Sequence, residues 1–379
     1  MKRHFTHFLA LLLPLSLCGT ATLHAQQSKR LVAYYLSGDV NNTPPYTPDK
    51  IPYRKLTHII HFCIWPDRDG NGGINTAGFI FSPDLIARAH AAGVKVLVSV
   101  GSGGLKTEAM RLIAESATAR AAFAKNLHDF VVANGYDGID IDWEVPNKGD
   151  MGAMTLMMQA IRDALPSPYL ISMATSATPQ WYGWYDFQGL APIVDFFNVM
   201  TYDFHGPWTN HAGHNSPLVM NHADPGLEGS MLVSWEFYKG FHVPPEKINM
   251  ATAFYGYEFD NAAGLWAYCT NDDCSAATSP NYGTYIKQRI NGLGWVSNYD
   301  SVAMAPYLLR EDGSLGFITY DDPASTSRKV DYAFGTMGVG GVFMWELSQD
   351  YDGQSQDLLD AMYKVFLKFS PPAAVAGGK

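Results

Sequence analysis

The chain has 379 residues, in which 26 lysines and arginines stand against 36 aspartates and glutamates, giving a formal charge of −10 at pH 7. This length allows one large α/β domain or two ordinary ones. The negative charge and the lack of a basic cluster argue against nucleic acid as a partner.

The N-terminus has the layout of a secretory signal. A basic start is followed by an apolar run over residues 8–17 and by small residues towards Ala25, so we predict a signal peptide over residues 1–25 and a secreted protein, extracellular or periplasmic. A lipid anchor on Cys18 is disfavoured, because Leu17 stands where a small residue would be expected. No later segment has the ~20 apolar residues of a membrane span, so no membrane contact is expected for the mature form.

Short apolar runs alternate with helix-like segments along the rest of the chain. Helical spacing of apolar residues occurs over residues 82–93, 108–135, 151–165, 226–241 and 327–338. Strands are predicted at residues 31–35, 58–62, 94–100, 138–143, 170–174, 196–201, 248–254 and 341–345. Eight such repeats predict a closed (β/α)8 barrel over residues 26–370. An open doubly wound sheet is the alternative, but no Gly-rich phosphate loop follows the first strand.

The segment between the seventh and eighth strands is far longer than a usual βα loop. We therefore predict a small α+β insertion over residues 257–316, and a disordered tail over residues 371–379. Cys269 and Cys274 lie in a polar loop of this insertion. In an oxidising compartment they are predicted to form a disulfide, with two unpaired thiols as the alternative.

The stretch DGIDIDWE, residues 137–144, places four carboxylates in eight residues that otherwise resemble a buried strand. Because side chains alternate along a strand, Asp140, Asp142 and Glu144 share one face, while the isoleucines and the tryptophan between them share the other. Burying unpaired like charges costs several kcal/mol, so stability alone does not favour this pattern. In a barrel, Asp140 would lie deepest and Glu144 at the catalytic mouth.

Three acids in one low-dielectric pocket cannot all ionise, so at least one holds a proton near neutral pH. A protonated acid at a cleft rim suits the general acid of glycosidic bond cleavage, and Glu144 is the predicted donor. Asp142 would orient a reacting group while Asp140 shares or trades its proton. An ordinary retaining mechanism also needs a nucleophilic carboxylate, for which Asp203 is the candidate. A Mg²⁺ or Ca²⁺ site and a solvated acidic turn are the non-catalytic alternatives.

DGIDIDWE resembles the signature of family 18 glycoside hydrolases, the chitinase-like (β/α)8 enzymes, and the similarity runs from VAYYLSGD to GGVFMWELSQDYDG. In that family the terminal glutamate, here Glu144, is the proton donor, and the two preceding acids, Asp142 and Asp140, assist it. The substrate's own N-acetyl oxygen attacks the anomeric carbon and forms an oxazolinium ion. The resemblance thus implies that Asp142 orients the acetamido group, while Glu144 first protonates the leaving oxygen and later activates water.

Further positions match the same family. The resemblance implies that Tyr202 hydrogen-bonds the acetamido oxygen and that Met200 and Asp203 line the same sugar site. It assigns Trp345 to the floor of that site, where a purely structural role is the alternative. Tyr34 and Ser99 match the residues that hydrogen-bond the deepest aspartate, and the insertion resembles the one in a bacterial-type chitinase subgroup. The resemblance implies that this insertion deepens the cleft.

Several aromatic residues follow strand ends and are candidates to stack on sugars at the barrel mouth. We expect Trp208 to do so, and about half of the four tryptophans at positions 65, 181, 184 and 208 to be packing residues instead. His205, His211 and His214 crowd one loop. Their spacing on a Gly-rich backbone fits a hydrogen-bonded loop better than a metal site, so neither a metal nor a cofactor is predicted.

Two positions depart from the family pattern: Ser102 replaces a glycine after the third strand, and Tyr257 stands where arginine is common. Neither is expected to touch the proposed acid. The sequence predicts a monomeric, secreted chitinase that cuts β-1,4-linked N-acetylglucosamine polymers or oligosaccharides with retention. The alternatives are an endo-β-N-acetylglucosaminidase on N-glycans and a non-catalytic lectin, although lectin-like relatives commonly lack the terminal glutamate.

Overall fold

The computed structural model describes residues 29–179, 183–226, 229–290 and 292–370. The predicted signal peptide and tail lie outside these residues. In chain order, the strands are β1 (Arg30–Leu36), β2 (His58–Pro66), β3 (Ile74–Asn75), β4 (Lys95–Ser102), β5 (Gly138–Trp143), β6 (Leu170–Ser176), β7 (Phe196–Met200), β8 (Ile248–Ala253), β9 (Tyr257–Phe259), β10 (Trp295–Asp300), β11 (Ala305–Arg310), β12 (Phe317–Thr319) and β13 (Gly341–Trp345).

Eight of these strands form a closed parallel barrel. The order is β1, β2, β4, β5, β6, β7, β8 and β13, and pairing of β13 with β1 closes the circle. The register sets Asp140 of β5 beside Ser99 of β4 and Ser172 of β6. The predicted (β/α)8 barrel is confirmed, and the alternative of an open sheet is wrong because the strands have no free edge.

Helices surround the barrel. They are α1 (Pro83–Ala91), α2 (Leu105–Glu115), α3 (Ala117–Asn134), α4 (Met151–Ala164), α5 (Phe187–Leu190), α6 (Met231–Gly240), α7 (Lys287–Arg289), α8 (Pro323–Gly335) and α9 (Asp357–Phe369). The helical segment predicted over residues 108–135 is divided at Ser116, whose hydroxyl caps α3 by accepting the Ala119 N–H at 3.2 Å. No helix among the described residues has both the length and the apolar character needed to cross a bilayer.

Two apolar layers result from the alternation of side chains along the barrel strands. Ile139, Ile141 and Trp143 point outward and belong to the core that includes the buried faces of the helices. Residues such as Tyr34 and Phe343 belong to a second cluster inside the barrel. The outward side chains of β5 therefore pack the strand against the helices, and the inward face of β5 is available for polar side chains.

The insertion after β8 is built on a four-stranded antiparallel sheet in the order β10, β11, β12 and β9. The last of its strands in the chain, β12, begins just beyond the predicted end of the insertion at residue 316. A disulfide joins Cys269 to Cys274, with 5.4 Å between the Cα atoms. The Cys269 N–H also donates to the Asn210 carbonyl at 3.0 Å, so this loop is fastened to the segment that follows β7.

Candidate active site

Asp140 lies at the bottom of the barrel and is completely buried. Its Oδ2 accepts the Tyr34 and Ser99 hydroxyls, both at 3.0 Å. Its Oδ1 accepts the Ser172 hydroxyl at 2.6 Å and the Asn198 amide at 3.4 Å. Four strands thus each supply one donor to a single carboxyl group.

Burial and hydrogen bonding act in opposite directions on Asp140. Burial is the larger effect and raises the pKa of its carboxyl, while the hydrogen bonds from Ser172, Ser99, Tyr34 and Asn198 lower it in part. Because hydroxyl groups can donate or accept, these partners hold the carboxyl in place in either protonation state.

Asp142 and Glu144 form a coupled pair above it. Asp142 is 3% exposed, and burial, the charges of Glu144 and Asp140 and a hydrogen bond to Glu144 raise its pKa well above the ordinary value. Burial and the charge of Asp203 raise the pKa of Glu144, which the hydrogen bond with Asp142 partly offsets. Two adjacent carboxyl groups with raised pKa values disfavour double ionisation, so the arrangement favours one proton on this pair. This proton is shared between Asp142 and Glu144, whereas the sequence had placed proton sharing at Asp140.

The backbone of Glu144 is held on both sides. Its N–H points to the Ser102 carbonyl and to the Ser102 hydroxyl, each at 3.1 Å. Its carbonyl accepts the Thr107 hydroxyl of α2 at 2.5 Å. The expectation that Ser102 does not touch the proposed acid is therefore wrong: the hydroxyl that replaces a glycine hydrogen reaches the main chain of Glu144 from the neighbouring strand.

The wall of the site opposite Glu144 is formed by residues that follow β7. Asp203 has a φ of 61°, a left-handed conformation that aspartate tolerates better than most residues. The Asn215 side chain accepts its N–H at 2.9 Å, which holds this turn. The Asp203 Oδ1 accepts the hydroxyls of Tyr255 and, at 2.9 Å, Tyr257. Tyr257 thus contacts Asp203 in place of an arginine and supplies a neutral donor.

Two cavities open from this wall. A cavity of about 140 Å³ reaches down to Asp142 and Tyr34, and one of about 610 Å³ extends outward past Trp208. Glu144 contributes to both, as do Met200, Tyr202 and Asp203. A molecule that occupied both cavities would pass directly beside the Glu144 carboxyl.

The floor of the smaller cavity is aromatic. The Trp345 ring packs 5.3 Å from Tyr34 and edge-on against Phe62 at 4.9 Å between centroids. Trp345 remains partly exposed, so one part of its ring faces the cavity. Tyr202 stands over this floor, and burial together with the charge of Asp203 raises the pKa of its hydroxyl well above 10. The Tyr202 hydroxyl is therefore a hydrogen-bond donor at all physiological pH values.

The other predicted tryptophans differ in placement. Trp208 is 58% exposed and lines the larger cavity. The ammonium of Lys106 covers the ring of Trp65, and that of Lys148 lies 5.2 Å from the ring of Trp184. Trp181 lies outside the described residues. Of the described three, Trp208 lines the larger cavity, while the rings of Trp65 and Trp184 each lie beside a lysine ammonium.

Ser172, Asn198 and Tyr255 contact the acids but were not identified from the sequence. Ser172 and Asn198 are polar residues inside the otherwise apolar strands β6 and β7, and both are fully buried. A polar side chain in the middle of an apolar strand was the available sign, because such a group must find a partner inside the barrel. Tyr255 gave no comparable sign.

Comparison with known proteins points to one family. The model of the family described as glycosyl hydrolases family 18 matches residues 30–350. The chain is 29% identical to Chitinase A1 of Niallia circulans, over 71% of this chain and 42% of that protein. It is 27% identical to Endochitinase 1 of Metarhizium robertsii, over 81% of this chain and 78% of that protein.

A solved structure is similar in fold. The family 18 N-acetylglucosaminidase from Paenibacillus barengoltzii superimposes with a TM-score of 0.76 and 26% identity, covering 89% of this chain and all of that one. The chain spans less than half of the length of Chitinase A1.

Proposed function

The chain belongs to family 18 of the glycosyl hydrolases and is a glycoside hydrolase, and from this premise we propose that it hydrolyses β-1,4-linked N-acetylglucosamine chains with retention of configuration. The observation that carries the proposal is the placement of Asp142 and Glu144, two neighbouring carboxyl groups with raised pKa values, at the junction of two cavities. A shared proton at that junction suits protonation of a glycosidic oxygen.

In the proposed mechanism, one sugar occupies the smaller cavity on the Trp345 floor. Glu144 protonates the oxygen that leads to the next sugar, and the acetamido oxygen of the bound sugar attacks the anomeric carbon. The resulting oxazolinium ion carries positive charge, which the carboxylates of Asp142 and Asp140 stabilise from below. Glu144 then takes a proton from water, and the water opens the intermediate.

Neighbouring residues would orient the acetamido group. The Tyr202 hydroxyl, kept protonated by its raised pKa, donates to the acetamido oxygen. Met200 and Asp203 line the same cavity. Tyr34 and Ser99 hold the Asp140 carboxyl in place, and Tyr34 also lines the cavity in which the sugar would bind. Asp203 does not serve as a nucleophile in this scheme, since the acetamido group takes that role.

Replacing Trp208 by alanine is expected to raise KM for N-acetylglucosamine hexamer about tenfold, equivalent to ~1.4 kcal/mol, with little change in kcat. The exposed ring offers a stacking surface for a sugar in the outer cavity, and it takes no part in bond cleavage. Steady-state kinetics on the hexamer would measure the effect. Tyr299→Ala is the matched control, since Tyr299 is also exposed but lies in the insertion; equal KM values for the two variants would contradict this role.

Replacing Asp203 by asparagine is expected to move the alkaline limb of kcat/KM to lower pH. The charge of Asp203 helps to raise the pKa of Glu144, so its removal lets the pKa of Glu144 fall. Activity requires protonated Glu144 and is lost as pH rises past that pKa. The pH profile of Asp203→Asn would be compared with that of Asp260→Asn, an exposed aspartate. An unchanged or upward-shifted limb in Asp203→Asn would count against the proposed coupling.

We also propose that the protein is exported after removal of residues 1–25 and acts as a monomer without a cofactor. The basic and apolar leader and the disulfide in the insertion support export, because disulfides persist in oxidising compartments. N-terminal sequencing of protein recovered from the host's periplasm or medium tests the cleavage site. A mature chain that begins at Met1 would contradict it.

The substrate class is tested by incubating the enzyme with chitin hexamer and, separately, with a high-mannose glycoprotein. Cleavage of the hexamer without release of N-glycans is the expected result. Release of N-glycans with an intact hexamer would instead support the endo-β-N-acetylglucosaminidase alternative. Binding of the hexamer without any turnover would support the lectin alternative.

A further inference from the structure

Two of the histidines that crowd the loop after β7 meet an aspartate outside the proposed catalytic site. His205, His211 and Asp224 are 1%, 2% and 4% exposed. The two histidine Nε2 atoms are 3.1 Å apart, and Asp224 Oδ1 lies 2.9 Å from that of His211 and 3.3 Å from that of His205. The His214 side chain turns away and contacts Asp300 at 3.2 Å, while its carbonyl stays within hydrogen-bond distance of His205, so the loop is hydrogen-bonded as expected but only two of its imidazoles face Asp224.

The far sides of the two imidazoles show where their protons are. Nδ1 of His205 faces the His214 carbonyl at 3.0 Å, and a carbonyl only accepts, so this nitrogen carries the hydrogen. Nδ1 of His211 faces the Asn210 side-chain oxygen at 2.9 Å and carries its hydrogen for the same reason. In the neutral tautomers, both Nε2 atoms therefore present lone pairs to each other and to the carboxylate.

Asp224 Oδ1 also accepts the Gly226 N–H at 2.9 Å, but the two Nε2 lone pairs and the carboxylate still repel one another in a buried space unless a proton or a metal ion lies between them. The spacings fit a metal ion, because ligands of a tetrahedral zinc, bound at about 2.0–2.1 Å, lie about 3.3 Å apart. The backbone carbonyl and the side-chain oxygen on the Nδ1 atoms are the usual outer partners of metal-bound histidines. Imidazole nitrogens select transition metals over Mg²⁺ and Ca²⁺.

We propose that His205, His211 and Asp224 bind one zinc ion that holds the loop after β7. The expectation of no metal rested on the spacing of the three histidines alone, and Asp224, 13 residues beyond His211, was not among the candidates. Three protein ligands leave one tetrahedral position for water. The ion would join the loop that carries Asp203 and Trp208 to the turn before α6.

The loop has further ties to the insertion. His211 forms an isolated bridge with Tyr268, and the Ala212 N–H donates to the Ala267 carbonyl at 2.9 Å. The zinc would therefore act on the outer cavity through the position of Trp208. It takes no part in the proposed cleavage step, so zinc binding and catalysis are separate claims that separate measurements test.

The test begins with metal content. Wild-type protein is first stripped of metal with a chelator, then incubated with micromolar zinc and passed through a desalting column. Inductively coupled plasma mass spectrometry is expected to show one retained zinc per chain. Zinc should also raise Tm by several degrees, because it binds the folded state alone. His211→Asn and Asp224→Asn should lose both effects, whereas His128→Gln, at an exposed histidine on α3, should retain them.

Cobalt gives a second measurement that needs no variant. Cobalt(II) in the wild-type site is expected to show the intense visible absorption of four-coordinate cobalt, displaced by zinc. No zinc retention and no Tm shift in folded wild-type protein would overturn the proposal, and would mean that a shared proton bridges the three groups. Zinc retained by both folded variants would overturn it as well. Loss of zinc should raise KM for the hexamer more than it lowers kcat.

Discussion

Replacing Glu144 by glutamine is expected to lower kcat on N-acetylglucosamine hexamer about 10⁴-fold, the upper end of what one general acid and base contributes. Glutamine keeps the shape of the side chain, but it cannot release the proton that the Asp142 and Glu144 pair holds. The same residue serves both proposed proton transfers, so both steps slow. Single-turnover kinetics, with binding followed by tryptophan fluorescence, would separate cleavage from affinity.

Glu236→Gln is the matched control, since Glu236 is an exposed glutamate of α6 that pairs with Lys239. It should leave kcat and KM unchanged. The Glu144→Gln variant should bind the hexamer with an affinity within a few-fold of the wild type. A variant at Glu144 that kept most of its turnover would show that another group protonates the leaving oxygen.

Replacing Lys329 by methionine is expected to lower the free energy of unfolding by about 3–5 kcal/mol, the cost of leaving a buried charge without its partner. Lys329 is fully buried on α8, and its Nζ lies 2.6 Å from the Asp321 carboxylate and 2.8 Å from the Ser216 hydroxyl. Ser216 in turn donates to the Thr201 carbonyl at 2.6 Å. The lysine therefore supports the chain that leads into Tyr202.

Urea denaturation of Lys329→Met against Lys239→Met would measure this cost. Lys239 is an exposed lysine that pairs with Glu236, so its replacement should change stability by less than about 1 kcal/mol. The Lys329→Met, Asp321→Leu double variant should recover part of the loss, because it removes the unpaired carboxylate. Equal and small losses in both single variants would show that the buried pair contributes no more than a surface one.

The fold could be predicted from the sequence because the spacing of apolar residues differs between the strand and the helix of each repeat. The barrel strands are apolar runs separated by amphipathic segments, and these signals are local. Strand ends were less certain: β2 extends to Pro66, four residues past the prediction, because Trp65 and Pro66 pair with Asn75 and Ile74 of β3. That pairing joins segments distant in sequence, which a periodicity cannot reveal. The final helix, α9, was also not singled out.

The acidic residues of the candidate site could be predicted from the sequence, whereas several of the residues that contact them could not. Alternation along β5 alone placed Asp140, Asp142 and Glu144 on one face, and the structure brings Tyr202, Asp203 and Trp345 to the cavities beside them. The contact of Ser102 with the Glu144 backbone depends on the register of β4 against β5. A sequence does not state that register, so the contact was missed.

The pKa of Asp140 and the cluster of His205, His211 and Asp224 needed coordinates for a related reason. The pKa of Asp140 depends on its burial and on hydrogen bonds from four different strands, and the tautomers of His205 and His211 follow from which oxygen each Nδ1 faces. Asp224 has no sequence pattern that links it to either histidine. Each of these properties arises from the convergence of separate segments, and none of them from a local motif.

The stereochemistry of the first products from N-acetylglucosamine hexamer tests the central claim most directly. Proton NMR recorded within seconds of mixing is expected to show new reducing ends in the β configuration, with hydrolysis lost when the N-acetyl groups are removed. New reducing ends in the α configuration, or equally rapid cleavage of the deacetylated hexamer, would contradict an acetamido nucleophile acting beside Glu144.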